Sequence, residues 1–192
     1  MSKPLDVLLV TPPSRVQVYQ ELSRDFAAIE PPVWSGLIAT FLRQHSCSVA
    51  ILDAEAEGLN HQQTAERIAA IAPRLAVFVI YGQQPSASTQ CMPAGRKVCE
   101  ILTTLADIPT LVMGTHPSAL PKRTLLEEPY TYVCEGEGPA TILGLVIALR
   151  APQHSLREVP GLWHMEKGVP VGNAPAQLLT NLDREVPGQA WD

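Results

Sequence analysis

Charge is scarce in this chain. Of its 192 residues only 17% are charged, against a typical share of about 25%, and the formal net charge is −5. The basic residues form no cluster, which argues against a nucleic-acid partner, since nucleic-acid-binding proteins gather Lys and Arg on one face. Hydrophobic residues make up 46%, which excludes a disordered chain. The length predicts one ordinary domain, or one domain with a tail.

Long apolar runs and paired cysteines are also missing. No run approaches the roughly 18–20 residues of a transmembrane helix, so we expect no membrane partner, and residues 1–6 lack a signal-peptide profile. The cysteines, Cys47, Cys91, Cys99 and Cys134, contain no C-x-x-C pair, so neither a zinc site nor an iron–sulfur cluster is predicted. Cysteines scattered along the chain without pairing motifs indicate a protein of a reducing cytoplasm. We interpret the four cysteines as small buried hydrophobic side chains.

Short apolar runs alternate with amphipathic segments along most of the chain. Such runs are typical of strands buried on both faces of a parallel sheet. Five strands are predicted over residues 6–11, 48–53, 75–81, 110–114 and 130–134, and the segments between and after them predict five helices. In the third helix, Pro93 lies either in the first turn or at a kink. The alternation favours an α/β fold with a doubly wound, five-stranded parallel sheet, Rossmann-like, in residues 1–150.

The character of the chain changes after residue 150. Residues 151–192 contain five prolines and a hairpin-like pair of segments at 161–165 and 168–171, with no clear helical pattern. We interpret this region as a hairpin and linker that form an appendage packed on the domain.

Ligands of open α/β sheets bind beyond the carboxyl ends of the strands, near the point where strand order reverses. The loops after the first, third, fourth and fifth strands are therefore the predicted site, and glycine in three of them permits sharp turns or close approach of a ligand. The candidate cofactor-binding residues are Thr11, Pro12, Pro13, Tyr81, Gly82, Gln83, Gln84, Gly114, Thr115, His116, Pro117, Ser118, Glu135, Gly136 and Glu137.

The chemistry of these loops disfavours anionic cofactors. A dinucleotide needs G-x-G-x-x-G after the first strand, with N–H groups aimed at a pyrophosphate, but Pro12 and Pro13 lack an N–H. No Walker loop is present, and Glu135 and Glu137 would repel a phosphate. No nucleophile elbow and no metal-spaced histidine pair occur, so no catalytic or metal-ligating residue is predicted. What remains is a large, amide-decorated ligand held by apolar walls and backbone, or no ligand.

Only one of the five histidines falls in these loops. His116 either hydrogen-bonds its own loop or faces the ligand. We expect the other four, His45, His61, His154 and His164, to lie on the surface or in the appendage.

One loop carries a specific family resemblance. Residues 111–121, LVMGTHPSALP, resemble the G-G-x-H-P-S-A-L-P loop of the N-terminal cobalamin-binding domain in cobalamin-dependent radical S-adenosylmethionine enzymes, and residues 132–138, YVCEGEG, resemble the V-x-x-G-E-x-E segment that follows it there. Residues 11–13, 31–37 and 51–54 match in order and spacing, and residues 159–192 resemble the hairpin and linker leading into the radical domain. The departures are Thr115, where a second glycine is frequent, and residues 81–84, where small Ser or Thr residues are frequent.

The resemblance implies a base-off cobalamin with no protein histidine on cobalt, since no histidine here follows the D-x-H-x-x-G pattern. The nucleotide tail would enter a slot beside the sheet. The missing C-x-x-x-C-x-x-C motif implies that a [4Fe–4S] cluster and S-adenosylmethionine belong to a C-terminal radical domain of the same chain. This part alone is then expected to bind cobalamin and catalyse nothing, while the full-length protein performs methyl transfer or related radical chemistry. A bulky residue at Gly114 or Gly136 is expected to abolish binding and leave the fold largely intact.

Two other classes stay open on the sequence alone. One is a non-catalytic scaffold or docking domain whose slot is degenerate, with Thr115 and Tyr81 filling the cleft. The other is an enzyme with an untypical flavin site, which predicts a yellow protein.

Overall fold

The computed structural model describes residues 4–23, 28–81, 85–151 and 153–190. Its strands are β1 (Val7–Thr11), β2 (Val49–Asp53), β3 (Leu75–Val79), β4 (Thr110–Met113), β5 (Tyr132–Cys134), β6 (Leu162–Glu166) and β7 (Val169–Gly172). Its α-helices are α1 (Arg15–Tyr19), α2 (Val33–Gln44), α3 (His61–Ile71), α4 (Pro85–Leu105), α5 (Thr115–Ala119), α6 (Pro121–Glu127), α7 (Pro139–Arg150) and α8 (Leu182–Glu185). Short 3-10 turns cover Gln20–Ser23 and Leu156–Glu158.

The strands form one sheet in the order β2-β1-β3-β4-β5-β6-β7. β1 to β5 are parallel, so the predicted doubly wound α/β fold is confirmed. The strand count differs, because the hairpin of β6 and β7 continues the sheet instead of lying on it. β6 pairs antiparallel with β5, with Tyr132 opposite His164 and Cys134 opposite Leu162. The region predicted as an appendage therefore supplies two of the seven strands.

Helices cover both faces of the parallel strands, which is why those strands read as continuous apolar runs. Val7 and Leu9 of β1 face a cluster with α2 and α7, whereas Leu8 and Val10 face a second cluster with α3 and α4. α4 begins well before Pro93, which lies in its interior and not in its first turn. Within the described ranges, no helix is both long and apolar enough to cross a membrane.

A buried carboxylate joins three elements at the amino end of the sheet. Asp6 is fully buried, and its Oδ2 accepts hydrogen bonds from Ser48 N at 2.9 Å and Ser48 Oγ at 2.7 Å. Arg150, the last residue of α7, places Nη2 2.6 Å from Oδ2 and Nε 3.0 Å from Oδ1. Asp6 thus ties the start of β1 to the start of β2 and the end of α7.

Candidate functional site

An aromatic pair joins the start of α2 to the segment that follows β3. Trp34, at the start of α2, stacks on Tyr81 with ring centroids 4.6 Å apart and planes 20° from parallel. Tyr81 is half-buried, and burial raises the pKa of its phenol to about 12, so the ring remains neutral. The predicted residues Gly82, Gln83 and Gln84, which follow it, lie outside the described residues.

A serine of α4 connects the end of β3 to the loop after β4. The fully buried Ser88 donates from Oγ to Ile80 O at 2.6 Å and accepts from His116 N at 3.1 Å. The imidazole Nδ1 of His116 lies 2.9 Å from Thr89 Oγ1. The side chain of His116 therefore bonds to α4 and not to its own loop. Burial and the nearby Arg123 lower the pKa of this imidazole, which favours its neutral form.

Gly114 holds the loop after β4 against the end of β3. Its φ is +147°, and a Cβ built there would lie 2.0 Å from Ile80 O and 2.8 Å from the Ile80 carbonyl carbon. These are backbone atoms, which cannot rotate away as a side chain can. The expectation that a bulky residue at Gly114 leaves the fold intact is therefore wrong. Thr115, Pro117 and Ser118 follow in α5, with Pro117 buried and the other two half-buried.

Gly136 differs from Gly114 in its surroundings. Its φ is +104°, but a Cβ there would have nothing within 4 Å. Its N–H donates to Ser118 Oγ at 2.8 Å, which connects the loops after β4 and β5. The hydrogen bonds of Ser88 and Ser118 thus join the end of β3, at Ile80, and the predicted loops after β4 and β5 into one rim, in which Gly136 faces open space.

The carboxylates of the last loop hold the C-terminal part of the chain. Glu135 Oε2 accepts a hydrogen bond from Trp163 Nε1 of β6 at 2.6 Å, and Glu137 Oε2 accepts from Leu179 N at 3.1 Å. Gly172 of β7 makes room for the Trp163 ring, since a Cβ there would lie 2.4 Å from it. The hairpin and tail therefore position the predicted site residues Glu135 and Glu137.

A cleft of about 390 Å³ lies beside this rim, beyond the carboxyl ends of β1 and β3. This is where strand order reverses, so we call it the switch-point cleft. Two predicted residues, Thr11 and Tyr81, line it, whereas Pro12 and Pro13 do not. Other lining residues include Arg15, Val33, Trp34, Ser35, Glu55 and Cys91.

The sequence patterns did not identify several residues that contact the predicted site. Ser88 lies in a helix where its spacing gives no signal, and Trp163 lies in a segment predicted as an appendage. His164 lies in the region predicted as an appendage, as expected, but its side chain is buried because β6 is an internal strand of the sheet. Of the cysteines, Cys47, Cys99 and Cys134 are buried as predicted, but Cys91 is only half-buried.

Comparisons with solved structures identify proteins of similar fold. TsrM, a radical S-adenosylmethionine methyltransferase from Kitasatospora setae with cobalamin and a [4Fe-4S] cluster bound, has a TM-score of 0.70 and 19% identity, over 93% of this chain and 30% of that chain. OxsB, a cobalamin-dependent S-adenosylmethionine radical enzyme with aqua-cobalamin and S-adenosylmethionine bound, has a TM-score of 0.69 and 19% identity, over 96% of this chain and 24% of that chain. The chain thus spans less than a third of either structure.

Sequence comparison identifies the family. A search of curated proteins gives no significant match. The model of the B12 binding domain family, however, matches residues 22–146, which cover β2 to β5 and most of α7. The resemblance carried by the loops after β4 and β5 is thereby confirmed, and this chain belongs to the B12-binding domain family.

Proposed function

We propose that the chain binds cobalamin base-off along the rim formed by the end of β3 and the loops after β4 and β5, with the switch-point cleft taking part of the ligand. The observation that carries this proposal is the set of hydrogen bonds along the rim, which join Ile80 to Ser88, Ser88 to His116, and Ser118 to Gly136. Family membership favours cobalamin over the flavin and scaffold alternatives. The cleft measures about 390 Å³ among the described residues with Tyr81 in its lining, so the Tyr81 side chain does not fill it, contrary to the scaffold alternative.

The cleft is chemically suited to a bulky ligand that is neutral over most of its surface. The backbone N–H and the side chain of Arg15 both contact the carboxylate of Glu55, so the charges of this pair offset each other, and Glu30 is the one other charged residue among the described residues that line the cleft. Burial raises the pKa of the Cys91 thiol, which keeps that wall neutral too. Cobalamin carries mostly uncharged amides at its periphery, and when bound it supplies a cobalt that accepts and donates a methyl group.

A substitution at Gly136 tests whether the rim holds the cofactor. Gly136→Leu is expected to lower cobalamin affinity about tenfold or more, because the side chain projects into space that the ligand needs. Gly168→Leu is the matched control: Gly168, in the β6–β7 turn, also has a positive φ, +81°, and open space at its Cβ position. Both variants lose a similar stability, about 1–3 kcal/mol, from the strained backbone.

The measurement is a titration of hydroxocobalamin followed by its absorbance, with thermal melting of each variant. Wild type and Gly168→Leu are expected to bind alike. Unchanged absorbance with wild-type protein at high micromolar concentration contradicts cobalamin binding. Equal affinities of the Gly136→Leu and Gly168→Leu variants contradict the location on the rim.

His116 is proposed to position its loop without ligating cobalt. Its backbone N–H and its Nδ1 are both engaged by α4, through Ser88 and Thr89, and Gly114 stands where the D-x-H-x-x-G pattern of cobalt-ligating histidines has aspartate. The electron paramagnetic resonance spectrum of bound cob(II)alamin is expected to lack nitrogen splitting, and His116→Ala is expected to leave it unchanged. His154→Ala, at an exposed position near the tail, is the control. Nitrogen splitting that disappears only in His116→Ala identifies it as a cobalt ligand and overturns this assignment.

For the whole protein we propose a radical S-adenosylmethionine methyltransferase of a reducing cytoplasm. The support is the similarity to TsrM, whose methyltransferase chain is much longer than this one, and the four free cysteines. In this proposal residues 151–192 lead from the cobalamin domain into a radical domain that holds the [4Fe–4S] cluster and S-adenosylmethionine. The reading frame beyond Asp192 provides the test: a C-x-x-x-C-x-x-C motif supports the proposal, and a frame without one contradicts it.

A further inference from the structure

Among the described residues, one that lines the switch-point cleft, Ser35, has a buried hydroxyl without a hydrogen-bond partner. Ser35, in the first turn of α2, is 0% exposed, and its Oγ bonds to nothing in the part of the chain that the structure describes. A buried polar group left unsatisfied costs about 1–3 kcal/mol. Two other helical hydroxyls avoid this cost: Thr40 Oγ1 donates to Gly36 O at 3.1 Å, and Thr64 Oγ1 donates to Asn60 O at 2.7 Å.

Packing alone gives no reason for a hydroxyl at position 35. An alanine would fill nearly the same volume, has the highest helix propensity, and would carry no unsatisfied group. Ser35 adjoins Trp34, whose ring stacks on Tyr81, and Thr11 lines the same cleft. Ser35 therefore belongs to the lining of a cleft in which a ligand with an apolar body and a neutral polar substituent would supply the missing partner.

We propose that Ser35 Oγ hydrogen-bonds a neutral amide or hydroxyl group of bound cobalamin and so positions the cofactor in the switch-point cleft. This inference rests on the proposed function. The chemistry has two sources in cobalamin: an amide side chain of the corrin ring, or the ribose of the nucleotide tail. An anionic group is a poorer match, because Arg15 already contacts Glu55 and Glu30 adds a second carboxylate to the lining.

Ser35→Ala is the test, and Thr124→Val is its matched control. Thr124, in α6, is also buried, 2% exposed, with an unpartnered Oγ1 among the described residues, but it does not line the switch-point cleft. Both substitutions remove an unsatisfied hydroxyl, so both are expected to keep or raise the melting temperature of the free protein. Only Ser35→Ala is expected to weaken cyanocobalamin binding, about fivefold to tenfold, the loss of one neutral hydrogen bond.

Cobinamide, which lacks the nucleotide tail, distinguishes the two sources. An equal loss of affinity for cobinamide and cyanocobalamin assigns the partner to a corrin amide. A loss for cyanocobalamin alone assigns it to the nucleotide. Wild-type affinity of Ser35→Ala for both ligands overturns the proposal while cobalamin binding itself stands. If the wild-type protein binds neither ligand, the proposed function fails and this inference fails with it.

Cys91 supplies an independent readout in the unmodified protein. It lines the switch-point cleft, and it is half-buried whereas the other three cysteines are buried. Saturating cyanocobalamin is expected to slow its modification by a thiol reagent severalfold. Unchanged modification in the saturated protein places the cofactor outside the switch-point cleft and overturns the role of Ser35.

Discussion

Gly114→Ala is expected to lower the free energy of unfolding by more than about 4 kcal/mol, a loss that few single substitutions reach. The added Cβ would lie 2.0 Å from Ile80 O, well inside van der Waals contact. Relief requires β4 to move away from β3, which breaks packing in the centre of the sheet and the Ser88 bonds to Ile80 and His116. Urea denaturation followed by circular dichroism measures the loss.

Gly136→Ala is the control for Gly114→Ala. Both glycines have a positive φ, so both substitutions introduce backbone strain, but only the Cβ at position 114 meets other atoms. The loss at position 136 is therefore expected to stay at about 1–3 kcal/mol. Equal urea midpoints for the two variants would show that the contact with Ile80 is relieved without cost, contrary to this prediction.

Asp6→Asn is expected to lower the free energy of unfolding by about 3 kcal/mol, in the range for breaking a buried ion pair. The amide keeps the shape of the carboxylate, but it loses the charge that faces the two Arg150 contacts, at 2.6 and 3.0 Å. The asparagine amide must also place its N–H₂ group, a donor, at a position where a carboxylate oxygen now accepts hydrogen bonds from Arg150 or Ser48. Glu127→Gln, in an exposed ion pair with Arg123, is the control and is expected to cost at most about 0.5 kcal/mol.

The same carboxylate predicts a pH dependence. Burial raises the pKa of Asp6, but hydrogen bonds from Arg150 and Ser48 lower it by more, so it lies well below its ordinary value. In the unfolded chain the group binds a proton near pH 4. Its contribution to stability is therefore complete above about pH 4 and is lost as pH falls toward the folded pKa. The free energy of unfolding, measured from neutral pH to about pH 2, should fall less steeply for Asp6→Asn than for wild type. Parallel curves of this free energy against pH would contradict the prediction.

The parallel part of the fold could be predicted because each of its strands is specified locally. A run such as residues 75–79 is apolar at every position, and this pattern occurs when helices cover both faces of a strand. Once five such strands alternate with helices, the chain has few topologies available. The same argument places Thr11, Gly114 and Gly136 at one end of the sheet without any knowledge of their contacts.

The contacts that organise the site could not be predicted, because they join residues distant in the chain. Ser88 and His116 are 28 residues apart, and so are Glu135 and Trp163. Periodicity describes which face of its own element a residue occupies, and it carries no information about a partner on another element. Periodicity also could not distinguish Gly114 from Gly136. A Cβ at position 114 would meet the Ile80 backbone, whereas a Cβ at position 136 would meet no atom within 4 Å.

The hairpin has a further consequence for how this sheet meets other molecules. β5 has only three residues, and without β6 its unpaired N–H and C=O groups would form an open template for strands of other chains. The strand at this edge of the sheet is instead β7, which has four residues and contains Pro170. Proline has no N–H to donate, which interrupts pairing with a strand of another chain. A fragment cut at residue 150 would uncover β5, so resistance to intermolecular aggregation belongs to the longer unit that includes the hairpin.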